Sequence, residues 1–369
     1  MCKVPQNVRR QSTCSGKLQK ESRFFMGSSI ITIVIALIVF GVVVLIHELG
    51  HFLTAKACGI TVNEFSIGMG PRLFGFSKNG TDYSIRLLPI GGYVMMEGEN
   101  EESDEQGSFQ KAAVWKRILV TVAGAVMNLV LGFVILMGVV LSQQAVLSRT
   151  VGEFYPDAAT ERQGLQVGDT ILAVNGRRCF IANDISYEFA RTQNATVDLT
   201  VLRDGKRVQL EDVVFDTQTQ DGVSYMVLDF KVYPLEKTVG NVLAEAGRWT
   251  LSYARMVALS LTDVVTGRVP VNNLSGPVGI VQVIGEATGM GWQPLMLLVA
   301  FITVNLGVFN LLPIPALDGG RLVFLILEAI RRKPIPQKYE IAVNAAGFVF
   351  LIGLVLFATF NDVTRLLPA

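Results

Sequence analysis

A chain of 369 residues in which half are hydrophobic and 17% are charged, with a positive mean hydropathy, is too apolar for an ordinary soluble domain of this length. A net charge of +1 and the absence of clustered arginines beside aromatic platforms exclude nucleic-acid binding. The four cysteines, Cys2, Cys14, Cys58 and Cys179, have no paired spacing, which excludes a disulfide framework or a cysteine zinc knuckle and leaves small buried or unpaired thiols.

In chain order, residues 1–25 form an amino-terminal extension carrying Arg9, Arg10, Lys17, Lys20 and Arg23, and Met26 offers an alternative start. Four uncharged stretches follow, 28–46, 118–147, 294–317 and 341–361. Each approaches or exceeds the roughly 20 apolar residues that cross a bilayer at about 1.5 Å per residue. The first lacks a small-residue cleavage site and runs directly into "HELGH", so it reads as a retained span rather than a signal peptide. Next, "FSIGMGPRLFGF" and "YSIRLLPIGGYVMM" flank the turn "KNG" and predict a β-hairpin. Its apolar character places it at the membrane face, where exposed strand edges must line a protein or water cavity rather than lipid. The acidic run "EGENEESDE" after it reads as a solvated linker. Between the second and third spans, a stretch of soluble composition contains "DTILAVNG" and "ATVDLTVLRDG", strand patterns closed by Asn-Gly and Asp-Gly turns. The segment 239–265 has helical apolar periodicity and predicts an amphipathic helix on the outer membrane surface.

The expected boundaries are a first transmembrane helix over 26–56, the hairpin and acidic linker over 57–112, and a second helix over 113–147. The folded insert occupies 148–237, and the amphipathic helix with a connecting loop 238–293. A third transmembrane segment covers 294–318, a cytoplasmic loop 319–339, and a fourth helix with its tail 340–369. Lys and Arg concentrate in the loops after the first and third spans, so both loops are expected in the cytoplasm and the insert outside. The basic extension argues against that orientation, a conflict that a start at Met26 removes. The fold class is thus a polytopic α-helical membrane protein with four transmembrane helices, a membrane-associated β-hairpin sheet and an inserted extracytoplasmic α+β domain.

The chemistry lies in "HELGH". His47 and His51 are four residues apart, so on a helix both imidazoles project from one face and reach a single metal ion. Glu48 stands where it can take a proton from an attacking water, the arrangement of HExxH metalloproteases. Zinc suits two imidazoles, an oxygen ligand and an open fourth position. These are the chain's only two histidines, and ionisable groups in an apolar span cost on the order of 2.5–3.5 kcal/mol each, so they are functional by default. A third ligand must be a carboxylate or cysteine. Asp318, in "NLGVFNLLPIPALDGGR" at the end of the third span, is the acidic candidate on the same expected side of the membrane. Pro313 and Pro315 break the helix before it, and Gly319 and Gly320 permit a tight turn after it.

These residues resemble the site-2 protease family of intramembrane zinc metalloproteases, specifically the bacterial regulator of sigma-E protease group. The resemblance runs from Met26 nearly to the end, through "HELGH", "PIGGYVMMEGE", "KRILVTVAGAVMNLVLGF", "NLSGPVGIV" and "NLLPIPALDGG". It implies His47, His51 and Asp318 as ligands of one zinc ion and Glu48 as catalytic base. It also implies that Asn310 and Asn305 line the site and hold the substrate backbone or the developing oxyanion, although an Asn in a span also serves simply to bond a neighbouring helix. "VGEFYPDAATERQGLQVGDTILAVNG" resembles a PDZ domain, a module that adds an extended peptide to a sheet edge. Many members carry two in tandem, whereas this chain has room for one.

The function expected is cleavage of single-span membrane proteins within or near the bilayer of the bacterial inner membrane, with the hairpin near Gly91 and Gly92 accepting the unwound substrate as an added strand. Membrane lipid surrounds the enzyme, and the substrates would be a trimmed membrane anti-sigma factor, remnant signal peptides, or both. The alternative is a non-proteolytic PDZ-bearing receptor or scaffold with a structural metal, for which Glu48 would have no use. A transporter is the weaker rival, since no repeat relates the two halves. Oligomeric state is not readable from these features.

Overall fold

The computed structural model describes residues 12–99, 103–192, 195–220, 223–270 and 274–366. The first residues of the basic extension, part of the acidic linker (100–102) and the start of "NLSGPVGIV" lie outside the described residues. Among the described residues, four helical stretches are long and apolar enough to cross a membrane: Ile30–Ala57, Val114–Ser142, Trp292–Leu311 and Lys338–Arg365. Ile30, Ile31 and Ile38 on the first and Phe348, Val349, Phe350 and Phe360 on the last are more than half exposed, a surface suited to lipid and not to water. The protein is a polytopic membrane protein, and its chain divides into two compact units.

The first unit comprises residues up to Asn128, Val269–Leu298 and Phe309–Ala369. Helix α1 (Ser12–Ala57) ends against a two-stranded antiparallel hairpin, β1 (Val62–Lys78) and β2 (Thr81–Met96). The turn residues Asn79 and Gly80 have φ of 52° and 73°, the left-handed pair that joins strands without splaying their twist. At the hairpin root, Ala55, Ile60, Val62, Met96, Phe109 and Val120 form a buried cluster that ties the end of α1 to the start of α2 (Val114–Ser142). Toward the tip, Leu73 and Phe74 are 63% and 66% exposed.

Two parts of this unit depart from the expected organisation. The connecting loop before the third span contains a helix, α6 (Pro277–Met290), which opens with Pro at its first position, where a missing N–H costs nothing. The third span, α7 (Trp292–Leu311), stops before Leu312, and Asp318 does not end it. Instead Asp318 opens a separate helix, α8 (Asp318–Arg331), where a loop was expected. Pro313 and Pro315 lack the N–H that continuing α7 would need, and the chain folds back so closely that a Cβ on Gly320 would lie 2.6 Å from the Ile314 carbonyl oxygen. The last helix, α9 (Gln337–Leu366), closes over this loop, with Asn344 Oδ1 accepting the Ala316 N–H at 3.1 Å.

The second unit comprises Leu129–Arg268 and Val299–Val308. Strands β3 (Val146–Phe154), β4 (Thr170–Val174), β5 (Arg177–Arg178), β6 (Thr196–Arg203), β7 (Lys206–Val214) and β10 (Phe230–Leu235) form one antiparallel sheet in the order β10-β3-β4-β6-β7, with β5 on β4. β8 (Thr217–Gln220) and β9 (Val223–Met226) pair separately. Asn175-Gly176 and Asp204-Gly205 both take positive φ and turn β4 into β5 and β6 into β7. Helices α3 (Ala159–Arg162) and α4 (Ala182–Ala190) complete the insert, and Ile171, Ile185, Leu199 and Phe215 fill its core.

Helix α5 (Val239–Val265) is fastened to α4 and its C-cap by charge. Arg255 Nη2 lies 3.2 Å from Asp184 Oδ1, Arg255 Nη1 lies 3.2 Å from Glu188 Oε1, and Arg191 pairs with Asp263. Asp184 and Glu188 are almost fully buried, so each needs its cation there.

Candidate active site

The last turns of α1 carry His47, Glu48 and His51, and helical spacing sets the two imidazoles edge to face, with centroids 4.8 Å apart and planes at 83°. The break between α7 and α8 delivers Asp318 to them. Its Oδ2 lies 3.1 Å from His47 Nε2 and 3.3 Å from His51 Nε2, and the two nitrogens are 3.2 Å apart. Among the described residues, this is the group of His, Cys, Asp and Glu whose donor atoms converge as a metal site requires, all within 4.8 Å. A tetrahedral ion with bonds of about 2.0–2.1 Å needs ligand atoms roughly 3.3 Å apart. The observed spacing meets that requirement, and Asp318 Oδ2 is buried without receiving a hydrogen bond. The donor set therefore fits a zinc ion.

Helix α2 supplies the wall behind the histidines. The Val120 carbonyl faces His51 Nδ1 at 2.8 Å, and the side-chain amide of Asn128 meets His47 Nδ1 at 3.2 Å. Between them stands Gly124. A Cβ there would lie 2.8 Å from His47 Cε1 and His51 Cε1, and closer still to His51 Nε2. Gly50 on α1 is equally constrained, since its Cβ would fall 2.5 Å from the Ala123 carbonyl oxygen. Small residues thus let the two helices approach closely enough to bring a wall to the imidazoles.

Beside the three ligand atoms is a cavity of about 160 Å³ lined by Glu48, Tyr93, Val94, Met96, Glu99, Val120, Thr121 and Arg321 together with His47, His51 and Asp318. Strand β2 forms one side of it. A Cβ on Gly92 would meet the Ser66 carbonyl oxygen at 2.7 Å and Glu48 Cγ at 3.4 Å, so the absent side chain is what lets the strand lie against the glutamate. Gly91 has φ of +82°, a conformation that disfavours any other residue. Tyr93 is held by Glu64, which accepts its hydroxyl at 2.7 Å along with Ser84 at 2.6 Å and Arg86 at 2.7 Å. Burial raises the Glu64 carboxyl, but the hydrogen bonds from Ser84, Arg86 and Tyr93 prevail and hold it below the usual range. Arg321 pairs with Glu99 and lies over the Phe109 ring at 4.6 Å. Both members of that pair also line a larger cavity of about 760 Å³ with Arg117, Glu328 and Glu340.

The structure thus brings together His47, Glu48, His51, Asp318 and Gly92, with Gly91 next in the strand. Asn310 is buried in the last turn of α7 but is not among the residues lining the cavity. Asn305 falls in the stretch Val299–Val308, which groups with the other unit, and is not placed with these residues. Sequence reasoning missed Val120, Gly124, Asn128, Tyr93, Glu99 and Arg321. For Asn128 a signal existed: an amide in the middle of an apolar span needs a partner, and Val120, Gly124 and Asn128 recur at the four-residue interval of one helix face.

Four spans, an HExxH pair on one of them and a carboxylate delivered from a break after another define an integral membrane metallohydrolase. The chain belongs to peptidase family M50, whose profile matches residues 35–354, the site-2 protease family. A Clostridium perfringens protein named as a zinc metalloprotease is 36% identical, over 90% of this chain and 98% of its own. The regulator of sigma-W protease RasP of Bacillus subtilis is 32% identical, over 91% and 99% respectively. An Agrobacterium fabrum protein named as a zinc metalloprotease is 30% identical, over 90% and 95%. By class this enzyme is a zinc metalloendopeptidase.

Proposed function

We propose that this protein hydrolyses peptide bonds within or beside the transmembrane segments of single-span membrane proteins, using His47, His51 and Asp318 to hold one zinc ion and Glu48 as the catalytic base. The observation that carries this reading is the convergence of Asp318 on both histidines with Glu48 in the adjoining cavity. Zinc, when bound, supplies Lewis acidity and brings the pKa of its water to about 7. Glu48 takes the proton from the attacking water and returns it to the leaving amine nitrogen. The family resemblance assigns Asn310, in the last turn of α7, to the substrate backbone or the developing oxyanion.

A transmembrane helix hides its carbonyls in its own hydrogen bonds, so the substrate must unwind before attack. Among the described residues β2 pairs with β1 alone, and Gly92 lies against Glu48, which supports a substrate lying alongside the strand near Gly91 and Gly92 as an added strand. The insert over 148–237 is taken as one extracytoplasmic PDZ domain, and the active site as facing the cytoplasm across the bacterial inner membrane. Edge strand β10 supports peptide capture by the insert. Two substrate classes share the required chemistry, a membrane anti-sigma factor after a first cleavage and remnant signal peptides. The similarity to a sigma-W regulator supports the first.

The test is Glu48→Gln. The purified variant should retain zinc and lose cleavage by about 10³-fold or more, given the range general acid–base catalysis contributes. Cells making it should accumulate membrane-span peptides that wild-type cells clear. A purified variant that cleaves at the wild-type rate would remove Glu48 from the mechanism.

A further inference from the structure

Each imidazole that binds a metal through Nε2 must carry its proton on Nδ1, and a neighbouring acceptor normally fixes that choice. For His51 the acceptor is explicit. A backbone carbonyl can only accept, so the Val120 oxygen 2.8 Å from Nδ1 puts the proton there and leaves the Nε2 lone pair facing Asp318. Among the described residues no backbone carbonyl plays that role for His47. Its Nδ1 instead meets the Asn128 amide at 3.2 Å, two turns farther along α2 than Val120 and on the same helical face. The amide is fully buried.

We propose that Asn128 is the positioning residue for His47: its side-chain oxygen accepts the Nδ1 proton and so keeps Nε2 unprotonated and aimed at the metal, as the Val120 carbonyl does for His51. The assignment rests on the metalloprotease reading above. A half-turn of the Asn128 amide exchanges its nitrogen for its oxygen while its carbon atoms stay in place, so the oxygen can occupy the position 3.2 Å from Nδ1. The face Val120, Gly124 and Asn128 then acts as one template, with two acceptors flanking the glycine that makes room for both rings.

An amide that merely glues α1 to α2 would show the same contact, and metal affinity separates the two roles. Full-length protein in detergent micelles would be titrated with zinc against a chromogenic chelator, comparing wild type with Asn128→Leu and Asn128→Asp. Leucine keeps the volume and removes the acceptor, so zinc should bind about 10–100-fold more weakly, the usual loss on removing such a partner. Aspartate keeps the acceptor in the same shape and should bind within a few-fold of wild type or more tightly. Zinc affinity unchanged in folded Asn128→Leu overturns the assignment. If that variant does not fold, Asn128→Asp decides alone, and affinity about tenfold weaker than wild type overturns it. Wild-type protein that takes up no zinc would instead sink the metalloprotease reading. Glu48→Gln, which should bind zinc normally, separates loss of the metal from loss of the base.

Discussion

Cys179 shows how far a single side chain is governed by its surroundings. It is fully buried in the core of the insert, and burial, reinforced by the carboxylate of Asp184, pushes its thiol up to about 12. Only the thiolate reacts with disulfide and maleimide reagents. At pH 8 the thiolate fraction should be roughly a thousandfold below that of an unperturbed thiol. In a variant with Cys2, Cys14 and Cys58 replaced by Ser, labelling should therefore be negligible until the protein is denatured. The native rate should climb about tenfold per pH unit toward pH 12. Rapid labelling of the native variant at pH 8 would contradict the buried placement. Glu64 is the opposite case: its three donors keep it charged, and that charge holds Tyr93 at the cavity.

At the level of elements, α2 is the member whose role exceeds its appearance. Its sequence reads as one more apolar span, yet its face supplies an acceptor for His51, contacts His47 and leaves space for both. Alanine is favoured over glycine in a helix by about 1 kcal/mol, so Gly124→Ala should strengthen α2 considered alone. In the assembled unit its Cβ would meet both imidazoles. The expected result is a helical, folded protein whose zinc affinity drops by roughly a hundredfold or more, beyond the effect of losing one outer partner. Zinc titration beside far-UV circular dichroism checks this, and normal zinc binding would show that the rings have room to move. The break between α7 and α8 is the second decisive element. Proline makes the end of α7 readable, but α8 follows from the loop folding back on Gly319 and Gly320, a contact no local pattern encodes.

For the molecule as a whole, the metal ligands all belong to the first unit. Zinc binding the folded form alone stabilises it by mass action, about 4 kcal/mol at a thousandfold excess over Kd. Thermal unfolding followed by a probe in the first unit should move upward with zinc and downward with a chelator, reversibly. A probe in the insert, within the second unit, should not respond. Equal shifts at both probes would mean that the two units unfold together.

The spans, the hairpin turns and the HExxH pair were legible in the chain because each depends on local rules: hydropathy length, the left-handed turn at Asn79-Gly80, and four-residue helical spacing. Asp318 was nominated by elimination among acidic residues, and its place at the start of a helix was not foreseen. Which group Asn128 meets, the space Gly124 leaves, Tyr93 and the Arg321–Glu99 pair emerged only from tertiary structure. Their roles depend on distances between helices and strands remote in sequence, and a side chain's chemistry in an apolar interior is set by the few groups within hydrogen-bonding reach. The chain specifies the metal-binding atoms locally, whereas the packing of α1, α2 and β2 decides which nitrogen faces inward and how much space is left beside Glu48.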